Sequence, residues 1–485
     1  MTYYHGVKAS KQATSVSTPI TADSSIHFIV GTAPVHTVDG KVNEPILAYS
    51  YAEAVKAMGY SDDWQKYDIC EEMYTSFQLY KNAPIVMVNV LDPIKHVTEE
   101  TTKDVVLTSG VAELSFETLI DSVIVRGYNG EELTEEYSKG IDYDLIYTNN
   151  VLQLERIEGG KITSETTKIN IKYKAVDPSK VTKEDIIGGY DVTTKKSKGF
   201  ELVDVVFPKY RIIPTILLAP NFSHDSEVAA IMAAKAECIN GLFAAKAIID
   251  VDTTCATTYT EAVKWKNDNN ITQPTQLVVY PMVTLGGKLY HYSTHLAGSI
   301  SATDANEDLG KGTPCESASN KALQIDGMAL ADKTEVLFDI IKANYLNSQG
   351  IITGLNLMGG YVSWGNETAC YPSNTNVTDY FYNVSRMFDW VANSVILSVW
   401  NKVDRKLNKR LIESVTQSLN LWLNGLIAEE VIYGGRVEFL TEENTEFDLQ
   451  QGIAHFHIYL APSSPAKELD FVLEYDVRYL DDLFI

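Results

Sequence analysis

The sequence predicts a multidomain chain of α+β and α/β class: a mixed sheet covered by helices, a small all-β domain inserted into it, and extended arms at both ends. Three observations carry this. Apolar strand patterns alternate with helical patterns over residues 26–91 and again over 200–281, the order expected of a sheet with helices on its faces. Between them, residues 97–178 read as short alternating runs separated by turn signals. At the end of the chain Leu469, Phe471, Leu473, Tyr475, Val477 and Tyr479 alternate with Asp470, Glu474, Asp476 and Arg478, with Val472 the exception, the period of a half-buried strand. That strand follows a Pro-Ser hinge, APSSP, at a terminus that would ordinarily fray. A strand needs a sheet, and this pattern points to a sheet on another molecule.

Taken in order, residues 1–25 form a polar N-terminal arm, whose KASKQATSVSTP would span about 40 Å if extended. Residues 26–96 hold the strand IHFIVG, a helix over 48–59, a second helix over 68–80 and the buried strand APIVMVNVL. Residues 97–178 are the inserted β domain, with Asn129-Gly130, Asn149-Asn150 and Gly159-Gly160 as hairpin turns. Whole domains insert where both ends lie together on a surface, and an outward-facing position is expected. The α/β pattern resumes over 179–350, with strands at 211–220, 242–252 and 276–281 and a helix starting from Asp225. Its Gly/Ser/Thr-rich stretch from 284 to 328 reads as long loops. Residues 351–464 carry two long helices, near 379–400 and 407–427, and the strands GGRVEFL and GIAHFHIYLAP. Residues 465–485 are the C-terminal arm.

With 64 acidic against 40 basic residues the net charge is −24, which argues against a general nucleic-acid or anionic-membrane binder. No apolar run reaches the roughly 18–20 residues of a spanning helix, and MTYYHGVKASKQ lacks the apolar core of a signal peptide. Synthesis and folding in the cytosol are expected. The five cysteines are far apart with no C-x-x-C pair, so neither a disulfide framework nor a zinc ribbon is predicted.

Candidate catalytic and metal residues do not assemble into a site. His291 and His295 are spaced i, i+4, but Tyr292 stands where a zinc-protease motif needs glutamate, and the neighbours read as strand or loop. His455 and His457 lie on one side of a strand without a third ligand. No phosphate loop or nucleophile elbow occurs. No enzyme, cofactor or metal is therefore expected. One cluster stands out: Lys402, Arg405, Lys406, Lys409 and Arg410 face a single acid, Asp404. If helical they would stack along one side, at a helix N-terminus whose dipole disfavours cations. Such a run is ordinarily a solvated face; in a chain this acidic it also fits an acidic partner.

The opening YHGVKASKQATSVSTPITADSSIHFIVGTAP, the segment IIGGYDVTTKKSKGFELVDVVF and the block GLNLMGGYVSWGNETACYPSNTNVTDYFYNVSRMFDWVANSVILSVW resemble contractile tail sheath proteins of bacteriophages and phage-like particles such as tailocins and contractile injection systems. The same holds for VDRKLNKRLIESVTQSLNLWLNGLIAEEVIYGGRVEF and the final PAKELDFVLEYDVRYLDDLF. The likeness runs through most of the chain in order and is least informative over 97–178. It implies a structural subunit that forms six-fold rings stacked into a helical sleeve around a tail tube, with the tube protein, baseplate and tail terminator as partners and the virion tail as destination. It also implies strand donation to neighbouring subunits by Tyr3, Tyr4 and Val7 at one end and Leu469 to Tyr479 at the other. The tube contact would fall on the helix beginning near Lys406, with Lys402, Arg405, Lys406, Lys409 and Arg410. A static tail, baseplate or surface protein using the same strand exchange is the alternative, and an enzyme with a β-rich accessory domain a more distant one.

Overall fold

The structure, a computed structural model, describes residues 19–148 and 150–479. Its centre is an eight-stranded mixed sheet made of β1 (His27–Gly31), β2 (Ile46–Ala48), β3 (Ile85–Asn89), β4 (Ile216–Leu218), β5 (Lys246–Asp250), β6 (Gln276–Val279), β7 (Ile351–Asn356) and β8 (Tyr361–Trp364), in the order β2-β3-β1-β4-β5-β6-β7-β8. The six inner strands are parallel, and the two edges, β2 on β3 and β8 on β7, are antiparallel. Every residue of β1, β3, β5 and β6 is buried, as strands covered on both faces must be. The mixed, helix-covered sheet is the fold class that the alternation predicted.

The helix starts follow local chemistry. Ser50 caps 51–58, Asp225 caps 226–237, and Thr258 with Glu261 forms a capping box on 259–268, each supplying an acceptor to an N–H that the helix leaves free. The helix α1 (Asp68–Tyr74) runs on into one π-helical turn, Thr75–Leu79.

The stretch 284–328 is not all loop, and this corrects the sequence reading. It contains α2 (Tyr292–Ala305), with twelve of its 14 residues buried. Buried on all sides, α2 shows no amphipathic stripe, and its serines and threonines read as loop residues. Two of them are satisfied within the helix: Ser301 and Thr303 donate to the carbonyls of Ala297 and Ser299 four residues back. Gly298 lets the Tyr80 ring lie against the backbone, where an added Cβ would collide with the ring.

Residues 101–173 form two small antiparallel sheets, of four and three strands. They enclose a separate apolar core that includes Leu114, Val125, Leu145, Leu154 and Ile171. A bridge between Val97 and Val176 closes the neck of this unit.

The C-terminal part consists of α3 (Tyr382–Val399), α4 (Lys409–Ala428), and a two-stranded antiparallel sheet of β9 (Ile432–Glu438) and β10 (His457–Pro462). The buried face of α4 carries Val415, Leu419, Trp422, Leu423 and Leu426, and Trp422 lies 5.6 Å from Trp390 of α3. Lys246 of β5 pairs with Asp389 at 2.8 Å and donates to Ser385. Arg386 pairs with Asp304 of α2 at 2.5 Å, both side chains almost fully buried. Helix α3 is thus the joint between this part and the central sheet.

Candidate functional site

Two strands make a marginal sheet in water, and β9 and β10 each have one edge with no strand partner among the described residues. Only at Val437 is an edge otherwise occupied, where the Asn420 amide both donates to the carbonyl and accepts from the N–H, each at 2.9 Å. The rest is an open template for backbone pairing.

Beside it lies a segment that needs such a template. Residues 463–476 form no helix or strand, and a single 3₁₀ turn follows at 477–479. Leu469, Phe471, Leu473, Tyr475, Val477 and Tyr479 are 62% to 96% exposed. The alternation therefore does not make a strand within this chain: among the described residues the segment pairs with no other strand. Tyr3, Tyr4 and Val7 lie outside the described residues.

The bases of both arms are held against α3. Ile20 and Ala22 donate their N–H groups to Ser398 and Ser394, while Trp390 Nε1 and Arg386 donate to the carbonyls of Ala22 and Ser24. At the other end of α3, Asn383 donates to the Ser463 carbonyl. Ser398 and Asn383, 15 positions apart on α3, separate these exits by about 22 Å at 1.5 Å per residue. The residues that make the clamp, at 386, 390, 394 and 398, form an i, i+4 stripe that a periodicity search for polar contacts would have found.

The basic cluster is split, which corrects the expected stack on one helix. Lys402 ends a 3₁₀ turn, Arg405 and Lys406 lie in the connection, and only Lys409 and Arg410 belong to α4. Asp404, at a φ of 62°, breaks the chain direction, and the Asn408 side chain caps α4 by accepting from Leu411 N–H. Lys409 approaches Glu413 at 3.8 Å; Lys402, Arg405, Lys406 and Arg410 make no ion pair among the described residues.

The histidines are accounted for by packing. His291, the residue before α2, pairs through Nδ1 with Glu71 at 2.8 Å. His295 is fully buried beside Tyr80 and Tyr290 and its pKa is pushed down to about 3 by that burial, so it is neutral. His457 pairs with Glu443. Among the described residues no group of three potential metal ligands occurs, and no helix is long and apolar enough to cross a membrane.

Comparison with known proteins gives the class. No family model matches the chain. It is 25% identical over 492 aligned residues to the tail sheath protein of Burkholderia phage BcepMu, covering 99% of this chain and 98% of that one. In fold it is similar to the helical sheath of the anti-feeding prophage in its contracted state, with a TM-score of 0.57 at 13% identity over 98% of this chain and all of that one. It is likewise similar to the sheath complex of the PVC extracellular contractile injection system in its contracted state, with a TM-score of 0.55 at 12% identity over 99% of both chains. The proteins it resembles, in sequence and in fold, are thus tail sheath subunits, structural rather than enzymatic. The resemblance read from the residues holds over the whole length of the chain.

Proposed function

We propose that the chain polymerises as stacked six-fold rings in a helical sleeve around a tail tube, and that shortening of the sleeve drives the tube through a target envelope. The observation that carries this reading is the pairing of an open two-stranded sheet with an exposed, alternating aromatic segment in one molecule. In the assembled sleeve, Leu469 to Tyr479 of one subunit, and Tyr3, Tyr4 and Val7 of another, would extend the β9–β10 sheet of a third. The inserted unit at 97–178 would face outward, because at the tube surface it would obstruct packing. Lys402, Arg405, Lys406, Lys409 and Arg410 would meet the tube; baseplate and terminator proteins would close the ends.

The energetics suit a mesh of repeated links. Six apolar side chains contribute roughly 1.5–3 kcal/mol each on burial, while ordering about eleven residues costs roughly 1–2 kcal/mol apiece. The two nearly cancel, so each arm holds through its hydrogen bonds to an open edge and through repetition around the ring. Links of this kind persist while subunits rotate.

Truncation after Pro465 tests the reading. The shortened chain is expected to stay folded, since among the described residues beyond that point only Lys467 bonds or pairs with the body. It is also expected to form no sleeves in negative-stain micrographs where the full chain does. Normal sleeves from the truncated chain would overturn strand donation; full-length assemblies that never change length would favour a static tail protein.

A further inference from the structure

A crevice of about 780 Å³ runs between the start of the C-terminal arm, residues 463–468, and a wall that includes Glu316, Lys321, Trp364 and Glu367. At its base the Glu367 side chain is only 2% exposed. One of its oxygens accepts from the Asn366 N–H at 2.9 Å. The other meets the ammonium of Lys467 at 2.6 Å, the one cation within ion-pair distance of Glu367 among the described residues. The same ammonium lies 5.2 Å from the centre of the Tyr371 ring, a cation–π distance. Burial opposes the charge on Lys467, and Glu367 more than offsets it, so the lysine's pKa is raised.

A carboxylate withdrawn from water is costly unless a partner compensates it. Here the partner comes from a segment that has no secondary structure of its own. Beyond Lys467 the contacts change character: Arg478 pairs only with its neighbour Asp476, and the apolar side chains from Leu469 onward are exposed. The boundary between seated and unseated chain therefore falls at this lysine.

We propose that Lys467 is a pin for the C-terminal arm: seated on the buried Glu367 carboxylate, it sets the point and direction from which the strand-forming residues leave the subunit. The twelve residues from Glu468 to Tyr479 then sweep a reach of about 40 Å around a fixed origin, rather than around a hinge loose from Pro462 onward. The pin rests on the sheath reading for its purpose, but the seat is a property of the single subunit and is tested there.

The experiment uses the full chain, confirmed monomeric by light scattering, and a glutamate-specific protease. Glu468 adjoins the pin, whereas Glu474 lies in the exposed segment and serves as an internal reference. In the natural chain, cleavage at Glu468 is expected to be about tenfold slower than at Glu474, because cutting there requires the seat to open. Glu367→Gln, which leaves the cleaved sequence untouched, should bring the two rates within about twofold, as should Lys467→Met. Lys467→Arg should keep the difference. Equal rates in the natural chain, or an unchanged ratio in Glu367→Gln, would overturn the pin. Loss of sleeves with the seat intact would instead count against the sheath reading alone.

Discussion

His291 shows how much one buried pair can govern. Burial works against its charge, but Glu71 in direct contact, with Asp250 and Asp68 nearby, raises its pKa to about 9. Asp68, fully buried, is raised to about 6 by burial, against the opposing effect of its bonds from Thr32 and of His291. Both folded-state values lie above the ordinary ones of 6.5 and 3.8. The Asp68 contribution to stability is therefore present below about pH 4 and is lost as pH rises through 6, while that of His291 is complete below 6.5 and is lost as pH rises through 9. Thermal unfolding should show the subunit losing roughly 2–3 kcal/mol between pH 6.5 and pH 9, and His291→Asn should flatten that window. A stability that rises from pH 7 to pH 9 would show that the Glu71–His291 pair is not charged as argued. None of this is legible in the sequence: the spacing of His291 and His295 draws attention as a metal motif, whereas the partner that matters, Glu71, lies 220 positions away.

At the scale of elements, legibility follows the environment of each segment. The helices capped by Asp225 and Thr258 are readable because cap and period agree locally. Helix α2 is not, because a helix buried on every side has no polar face to contrast with an apolar one. Its Gly298 is the sensitive position. Alanine there would gain about 1 kcal/mol in helix propensity, but its Cβ would press on the Tyr80 ring. That ring cannot withdraw easily, since its hydroxyl bonds His295 and the Gln324 N–H. Overpacking costs about 1–3 kcal/mol, so Gly298→Ala should lower the unfolding midpoint in denaturant without changing the slope; a gain in stability would mean that the ring repacks freely. The alternating segment at 469–479 is the opposite case: its period is plain, yet among the described residues it forms no strand, because a segment does not encode its own hydrogen-bond partners.

At the scale of the whole molecule, α3 is the strut. The N-terminal arm leaves beside Ser398 and the C-terminal arm beside Asn383. Between those exits, the ion pairs Arg386–Asp304 and Lys246–Asp389 join the strut to α2 and to the central sheet. Tension on either arm in a sleeve would pass through one helix into the core. The basic loop lies just beyond the same helix, so it sits near the N-terminal exit. Reversing the charges at Lys406, Lys409 and Arg410 should weaken assembly on the tube, measured by co-sedimentation with tubes at low salt, while leaving tube-free sheath polymers intact. Unchanged tube-dependent assembly would return these side chains to solvent.

The order of residues was enough to establish the class of fold, the β-rich texture between the two α/β stretches and the alternating apolar period of residues 469–479. These are matters of period, composition and local capping, which act over a few residues. Four features emerged only once the chain was folded: α2 is a buried helix, the basic residues divide between a loop and a helix start, β9 and β10 leave edges open, and Lys467 finds Glu367. Each of them depends on which groups water can no longer reach, and burial is set by the packing of segments remote from one another in the chain.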